Sequence, residues 1–130
     1  MKTLLTAALT FTACAALRRR IEDRGQRDLG PVQIRPLKNR GAAFDLPIPA
    51  RAIPVLSGVA LGLALCLRRE HPAAVGLLLG GGLSNLWERV VLGGVLDYLR
   101  FPKGPWRVKK YVYNLADFAV FAGALGLLRR

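Results

Sequence analysis

Residues Ala52–Leu67 read AIPVLSGVALGLALCL, a run with no charge and with Ser57 as its only polar side chain. A helix built from it is apolar all the way round and lacks the polar face of a helix on a soluble protein. Beyond it, Arg68-Arg69-Glu70-His71 makes a short charged link, and Pro72–Trp87 is again uncharged, with Ser84 and Asn85 near its end. Pro72 suits the first turn of a helix, where its missing N–H does no harm. The two runs are therefore expected to form a hairpin. Further out, Thr3–Leu17 is uncharged up to Arg18-Arg19-Arg20, and Tyr111–Leu128 holds one charge, Asp117, before Arg129 and Arg130.

Four such runs lead to a definite expectation: an all-α integral membrane protein, one polytopic domain over residues 1–130. Its four transmembrane helices would lie at about 3–20, 52–68, 72–92 and 111–129. Helices of about 15–18 residues are roughly 22–27 Å long, short of a hydrocarbon core of about 30 Å. Local thinning and snorkelling Lys/Arg would have to cover the difference. The alternative is four buried helices of a soluble domain, disfavoured because so short a chain could not cover all four. For the first run, a cleaved signal is the other reading. A retained helix is preferred, since the chain after Cys14 runs straight into Ala15-Ala16-Leu17 and three arginines without a polar tether.

The stretches between the runs hold the charge. Within Arg18–Arg51, the segment Gly30–Leu37 alternates apolar and polar residues, which predicts a small extended segment in the first extramembrane loop. Arg100–Lys110 (RFPKGPWRVKK) carries Trp106, a residue type that anchors at membrane interfaces. Over all 130 residues, 20 Lys+Arg against 8 Asp+Glu give a net charge of +12, yet 52% of the chain is hydrophobic. That apolar content excludes a disordered chain. Two cysteines, Cys14 and Cys66, both inside apolar runs, exclude a disulfide framework. A single histidine, His71, argues against a zinc site, so no metal or cofactor is expected. The basic residues border apolar runs and form no recognisable nucleic-acid motif, so the expected charged partner is anionic membrane lipid. The chain is expected to act as a monomer.

Eight carboxylates can be sorted one by one. Glu22, Asp23, Asp28, Asp45 and Glu70 lie in loops; Glu88, Asp97 and Asp117 lie in or at the ends of apolar stretches. An ionisable group there is costly and marks a functional site by default. On one regular helix Glu88 and Asp97 would point to opposite sides, but Gly93-Gly94 offers a break that could turn Asp97 inward. Asn114 and Asp117 share a helix face, as do Asn85 and Arg89. Two aspartates brought together in low dielectric share a proton, so one can act as base toward water while the other protonates a carbonyl. The competing reading makes Asp97 and Asp117 membrane-edge groups paired with Arg89, Lys109 or Lys110.

Three blocks bear on that choice. Lys38–Phe44 (KNRGAAF), Gly81–Arg89 (GGLSNLWER) leading to Gly94–Tyr98 (GVLDY), and Tyr113–Asp117 (YNLAD) resemble, in order and spacing, the conserved boxes of signal peptidase II. The resemblance covers roughly residue 30 onward and the first helix only by position. It implies Asp97 and Asp117 as a catalytic pair. Asn39, Asn85, Glu88, Arg89 and Asn114 would support the pair and the substrate, and Gly41, Ala42, Ala43 and Phe44 would form part of the mouth. It further implies an intramembrane aspartyl endopeptidase of the bacterial cytoplasmic (inner) membrane, multi-pass and free of cofactors. The substrate would be a diacylglyceryl-modified prolipoprotein, whose signal peptide is removed near the extracytoplasmic surface.

The chain departs from the family pattern at several points. It is short, and no Asp-x-x-x-Lys element occurs in Thr10–Ile21. Glu88 stands where the pattern has aspartate, Ser84 where it has glycine, and Tyr98 where it has phenylalanine. Orientation is a further conflict. The family arrangement puts only Lys2, Arg68, Arg69, Arg129 and Arg130 inside, and the positive-inside rule predicts the reverse. The alternative to a peptidase is therefore a catalytically silent or inverted membrane paralogue whose basic loops bind anionic lipid or a partner protein.

Overall fold

The computed structural model describes residues 1–129. Helix α1 spans Lys2–Arg24 and is followed by strands β1 (Arg27–Leu29) and β2 (Val32–Asn39). Helices α2 (Ile53–Cys66) and α3 (Pro72–Leu92) lead into β3 (Val95–Arg100), and the short α4 (Trp106–Lys109) precedes α5 (Leu115–Leu127). The expected set of four transmembrane helices is overturned: no described helix is both long and apolar enough to cross a membrane. Helices α2 and α5 are apolar but only 14 and 13 residues long, about 20 Å at 1.5 Å per residue. Helices α1 and α3 reach 23 and 21 residues, but α1 ends in a charged turn and α3 carries Ser84, Asn85, Glu88 and Arg89. An apolar run reports the lack of a polar face and says little about where a helix stops.

The all-α expectation fails as well, because the loops build a three-stranded antiparallel sheet in the order β1-β2-β3. Gly30, at φ 75°, turns the β1–β2 hairpin. Between Ile34 and Leu37 the β2–β3 register slips by one residue; Pro36, which has no N–H to give a ladder, lies in that bulge. Strand alternation then sorts β3. Tyr98 packs with Ile21 of α1 and Ile34 of β2, flanked by Leu17, Leu96 and Leu99. Val95 and Asp97 point to the other face, as the two-residue period requires. Helix α1 reaches the sheet because it runs past Leu17, helped by the Arg18–Glu22 pair at 2.7 Å one turn apart.

Helix α3 is the axis of the bundle and touches its neighbours through bare backbone. A Cβ on Gly76 would lie 2.5 Å from Thr6 Cβ, and one on Gly80 would lie 2.5 Å from Thr10 Cβ and 2.7 Å from the Ala7 carbonyl. On the opposite side, a Cβ on Gly81 would meet the Ala116 carbonyl at 2.7 Å, and one on Gly123 of α5 would meet the Ala74 carbonyl at 2.7 Å. The helix stops where Gly93 takes the left-handed conformation, φ 74°, that ends helices cheaply. The chain leaves at Gly94, packed on the Asn39 carbonyl, and becomes β3. Lys2, Arg68 and Arg69 line one hollow at the Pro72 end of α3, and the site described next lies toward its Leu92 end.

Candidate active site

Four elements deliver six polar residues to a common point. Asn39 ends β2, Asn85 and Arg89 lie on the last turns of α3, Asp97 sits in β3, and Asn114 caps α5 with Asp117 in its first turn. The α5 terminus explains the Asn114–Asp117 spacing. Asn114 Oδ1 accepts the Asp117 N–H at 2.8 Å, and Asp117 Oδ2 accepts the Asn114 N–H at 2.9 Å. This reciprocal capping box satisfies two otherwise orphaned donors and fixes the carboxylate.

The remaining bonds join the two aspartates through amides. Asn114 Nδ2 donates to Asp97 Oδ1 at 2.9 Å and to Asn85 Oδ1 at 3.2 Å, and Asn85 Nδ2 donates to Asp117 Oδ1 at 3.3 Å. Asn39 Nδ2 donates to the other Asp97 oxygen at 3.2 Å, while its own Oδ1 accepts the Gly41 N–H at 2.8 Å. Arg89 Nη1 donates to the Gly41 carbonyl at 2.7 Å, which ties the Gly41–Phe44 segment to α3. Asp97 and Asn114 are 7% and 4% exposed, which shields the bond between them, while Asn39, Asn85, Arg89 and Asp117 are half-buried. Burial, and then the charge of Asp117, push the Asp97 carboxyl up from 3.8 to about 7; the Asn39 and Asn114 amides and the Arg89 charge hold it from rising further.

A cavity of about 300 Å³ opens over this network, lined by Asn39, Ala42, Phe44, Arg89, Asp97 and Asp117 among others. Phe44, held at φ 57°, sets its ring edge-on to Tyr111 at 5.1 Å and near Phe121 at 5.9 Å. A second, apolar groove of about 670 Å³ runs between α2, α3 and α5 and also reaches Asp117, Asn85 and Arg89. Ala42, Ala43 and Phe44 belong to both walls. Gly41 makes its contribution through its backbone. Glu88 alone among the anticipated residues faces elsewhere: it accepts the Leu96 N–H at 2.8 Å and lies 3.3 Å from Arg18 Nε.

Residues 4–130 match the family model described as Signal peptidase (SPase) II. The chain belongs to the signal peptidase II family. It is 40% identical over 100 residues to the lipoprotein signal peptidase of Methylobacterium radiotolerans, covering 69% of this chain and 57% of that protein. To the lipoprotein signal peptidase of Burkholderia cenocepacia it is 36% identical over 101 residues, 69% of this chain and 60% of that one. A third relative, from Methylorubrum extorquens, is 36% identical over 80 residues, 58% of this chain and 46% of its own length. The chain thus spans about half of these relatives. Its fold is similar to that of a chain described as a bacterial membrane enzyme, with a TM-score of 0.84, 18% identity, and coverage of 97% of this chain and 84% of that one.

Within this signal peptidase II framework, sequence reasoning missed two residues. Arg18 reads as a flanking charge because the uncharged run stops at Leu17, yet α1 continues to Arg24 and places Arg18 beside α3. Tyr98 reads as a stand-in for phenylalanine. Its phenol oxygen accepts the Leu115 N–H at 3.0 Å, satisfying a first-turn donor of α5. Tyr98→Phe should therefore cost about 1 kcal/mol of stability, checked by chemical unfolding. The Asn114–Asp117 capping box does not depend on the phenol and should survive.

Proposed function

We propose that this chain is an aspartyl endopeptidase that removes signal peptides from lipid-modified prolipoproteins at the bacterial cytoplasmic membrane, with Asp97 and Asp117 as its catalytic pair. One observation carries the reading. Two carboxylates on separate elements are joined through Asn114 and Asn85 at the meeting of a polar cavity and an apolar groove. Structural carboxylates gain stability from cations, whereas here each aspartate is held mainly by neutral amide donors, which orient it without neutralising it.

Burial raises both carboxyls, and the charge of Asp117 raises Asp97 further, so the pair shares one proton. Asp97, with a pKa raised to about 7, carries the proton and gives it to the scissile carbonyl oxygen. Asp117, oriented by the Asn114 N–H and the Asn85 amide, accepts a proton from water as the water oxygen bonds to the carbonyl carbon. Collapse of the tetrahedral intermediate breaks the C–N bond, and the amine leaves with a proton returned from the pair. The apolar groove takes the apolar segment of the signal peptide or the acyl chains of the modified cysteine. Exposed Leu5, Leu9, Val55, Val59 and Leu125 give the helices an outer face suited to lipid. Trp106, 68% exposed and followed by Arg107, Lys109 and Lys110, suits an anionic headgroup layer on the extracytoplasmic side, near the pair.

The test is cleavage of a purified diacylglyceryl-modified prolipoprotein, with the unmodified precursor as comparison. Cleavage of the modified form alone is the expected result; no cleavage of either sinks the reading. Because Asp97 must carry a proton, kcat should fall as the pH rises through about 7. A pH–rate profile that stays flat from about pH 6 to about pH 9 would remove Asp97 as the acid.

A further inference from the structure

Helix α1 lines neither the cavity nor the apolar groove, yet one of its side chains is linked to Asp97 through two intermediates. Arg18 Nε lies 3.3 Å from Glu88 Oε2, and Arg18 Nη2 lies 2.7 Å from Glu22 Oε1. Glu88 is 5% exposed, and the same Oε2 that faces Arg18 accepts the Leu96 N–H at 2.8 Å. Leu96 is the residue before Asp97 in β3. Arg18 Nε is buried and makes no directed hydrogen bond, so its hold on Glu88 is one of charge. A buried carboxylate deprived of its cation takes up a proton or swings toward water, and either change loosens an acceptor bond it makes. Asn39 and Asn114 grip the Asp97 side chain, whereas Glu88 grips the backbone that carries it.

We propose that Arg18 is a positioning residue for Asp97, acting through Glu88 and the Leu96 N–H to set where β3 leaves the helix break at Gly93-Gly94. The proposal rests on the peptidase reading above for its kinetic arm and on geometry alone for its structural arm. The pair has no place at the cavity: the hollow it lines, with Phe11, Ala15, Ser84 and Trp87, contains neither aspartate. Its influence on catalysis must therefore pass through position, where a displacement of about 1 Å can cost about a hundredfold in rate.

The experiment is a double-mutant cycle read by steady-state kinetics and by amide hydrogen exchange. Arg18→Ala and Glu88→Ala should each lower kcat about tenfold or more while KM stays within about twofold. The double variant should be no worse than Glu88→Ala, since Arg18 acts only through that carboxylate. Arg18→Lys, which keeps the charge, should recover most of the rate. In Arg18→Ala the Leu96 amide should exchange at least about tenfold faster, while the Tyr98 and Leu99 amides, which donate to the Tyr113 carbonyl, keep their protection. Additive losses in the cycle, or an unchanged Leu96 exchange rate, would overturn the proposal. If Arg18→Ala does not accumulate, Arg18→Gln, uncharged and of comparable reach, takes its place. Wild-type protein that fails to cleave sinks the peptidase reading alone, and the exchange measurement then still decides whether Arg18 holds β3.

Discussion

Asp97→Asn and Asp117→Asn should each reduce cleavage of a diacylglyceryl-modified prolipoprotein by about a thousandfold or more. An amide at either position can neither give a proton to the scissile carbonyl oxygen nor take one from water. The pH dependence of stability separates loss of fold from loss of chemistry at Asp97. The folded protein raises this carboxyl from 3.8 to about 7, so it favours the protonated form relative to the unfolded chain. The sign of the linkage is then fixed: burying Asp97 costs nothing below about pH 4, and the cost grows as the pH rises to about 7 and stays constant above it. Asp97→Asn removes that cost. Asn keeps one acceptor oxygen for the two amide donors of Asn39 and Asn114, so the expected result is a trend: the melting temperature of the inactive variant should rise relative to that of the wild type as the pH goes from about 4 to about 8. Thermal unfolding at the two pH values, beside the cleavage assay, checks both halves; retained cleavage in either variant removes the mechanism.

Gly80→Leu should unfold the bundle or prevent it from forming, at a cost of about 3 kcal/mol or more. The first added carbon would already sit 2.5 Å from Thr10 Cβ and 2.7 Å from the Ala7 carbonyl, both anchored in α1. Neither is the free end of a flexible side chain, so α1 and α3 would have to separate along their length. The consequence reaches the site, because α1 supports the sheet through Ile21 and faces Glu88 through Arg18. Gly58 on α2 provides the contrast. A Cβ there meets nothing within 4 Å, so Gly58→Ala should leave stability unchanged or raise it by up to about 1 kcal/mol through better helix propensity. Thermal unfolding of both variants in the same detergent separates close packing from a general intolerance of glycine replacement. Equal losses at the two positions would refute the packing argument.

Some of this architecture could be read from short-range pattern alone. The Asn114–Asp117 spacing is local and reads as one face of a helix over about 111–129, whereas α5 begins at Leu115 and Asn114 caps it from outside. The Gly93-Gly94 break is equally local, because a left-handed residue ends a helix wherever it falls. Hydropathy misled where a long-range or end-point property was at stake. The runs at α2 and α5, already short for a membrane span, end as helices after only 14 and 13 residues. The helix expected over about 3–20 continues to Arg24, since exposed charges one turn apart pair rather than break a helix. Strand β1 has too few residues to declare itself, β3 reads as the tail of the third apolar stretch, and their pairing with β2 is what creates the sheet.

What the linear order of residues could establish was therefore composition, local turns and the family boxes. These named Asn39, Asn85, Arg89, Asp97, Asn114 and Asp117 as a set. Their meeting is a tertiary event. Asp97 reaches Asn114 because β3 pairs with β2 and bridges to Tyr113 at Leu99, contacts between residues far apart in the chain. The direction of Glu88, turned from the cavity toward Arg18 and the Leu96 N–H, was likewise set only when α1 packed against α3. Hydrogen bonds within a turn depend on neighbours that the sequence displays. Burial, charge pairing and the raised carboxyl of Asp97 depend on neighbours that only the folded chain supplies.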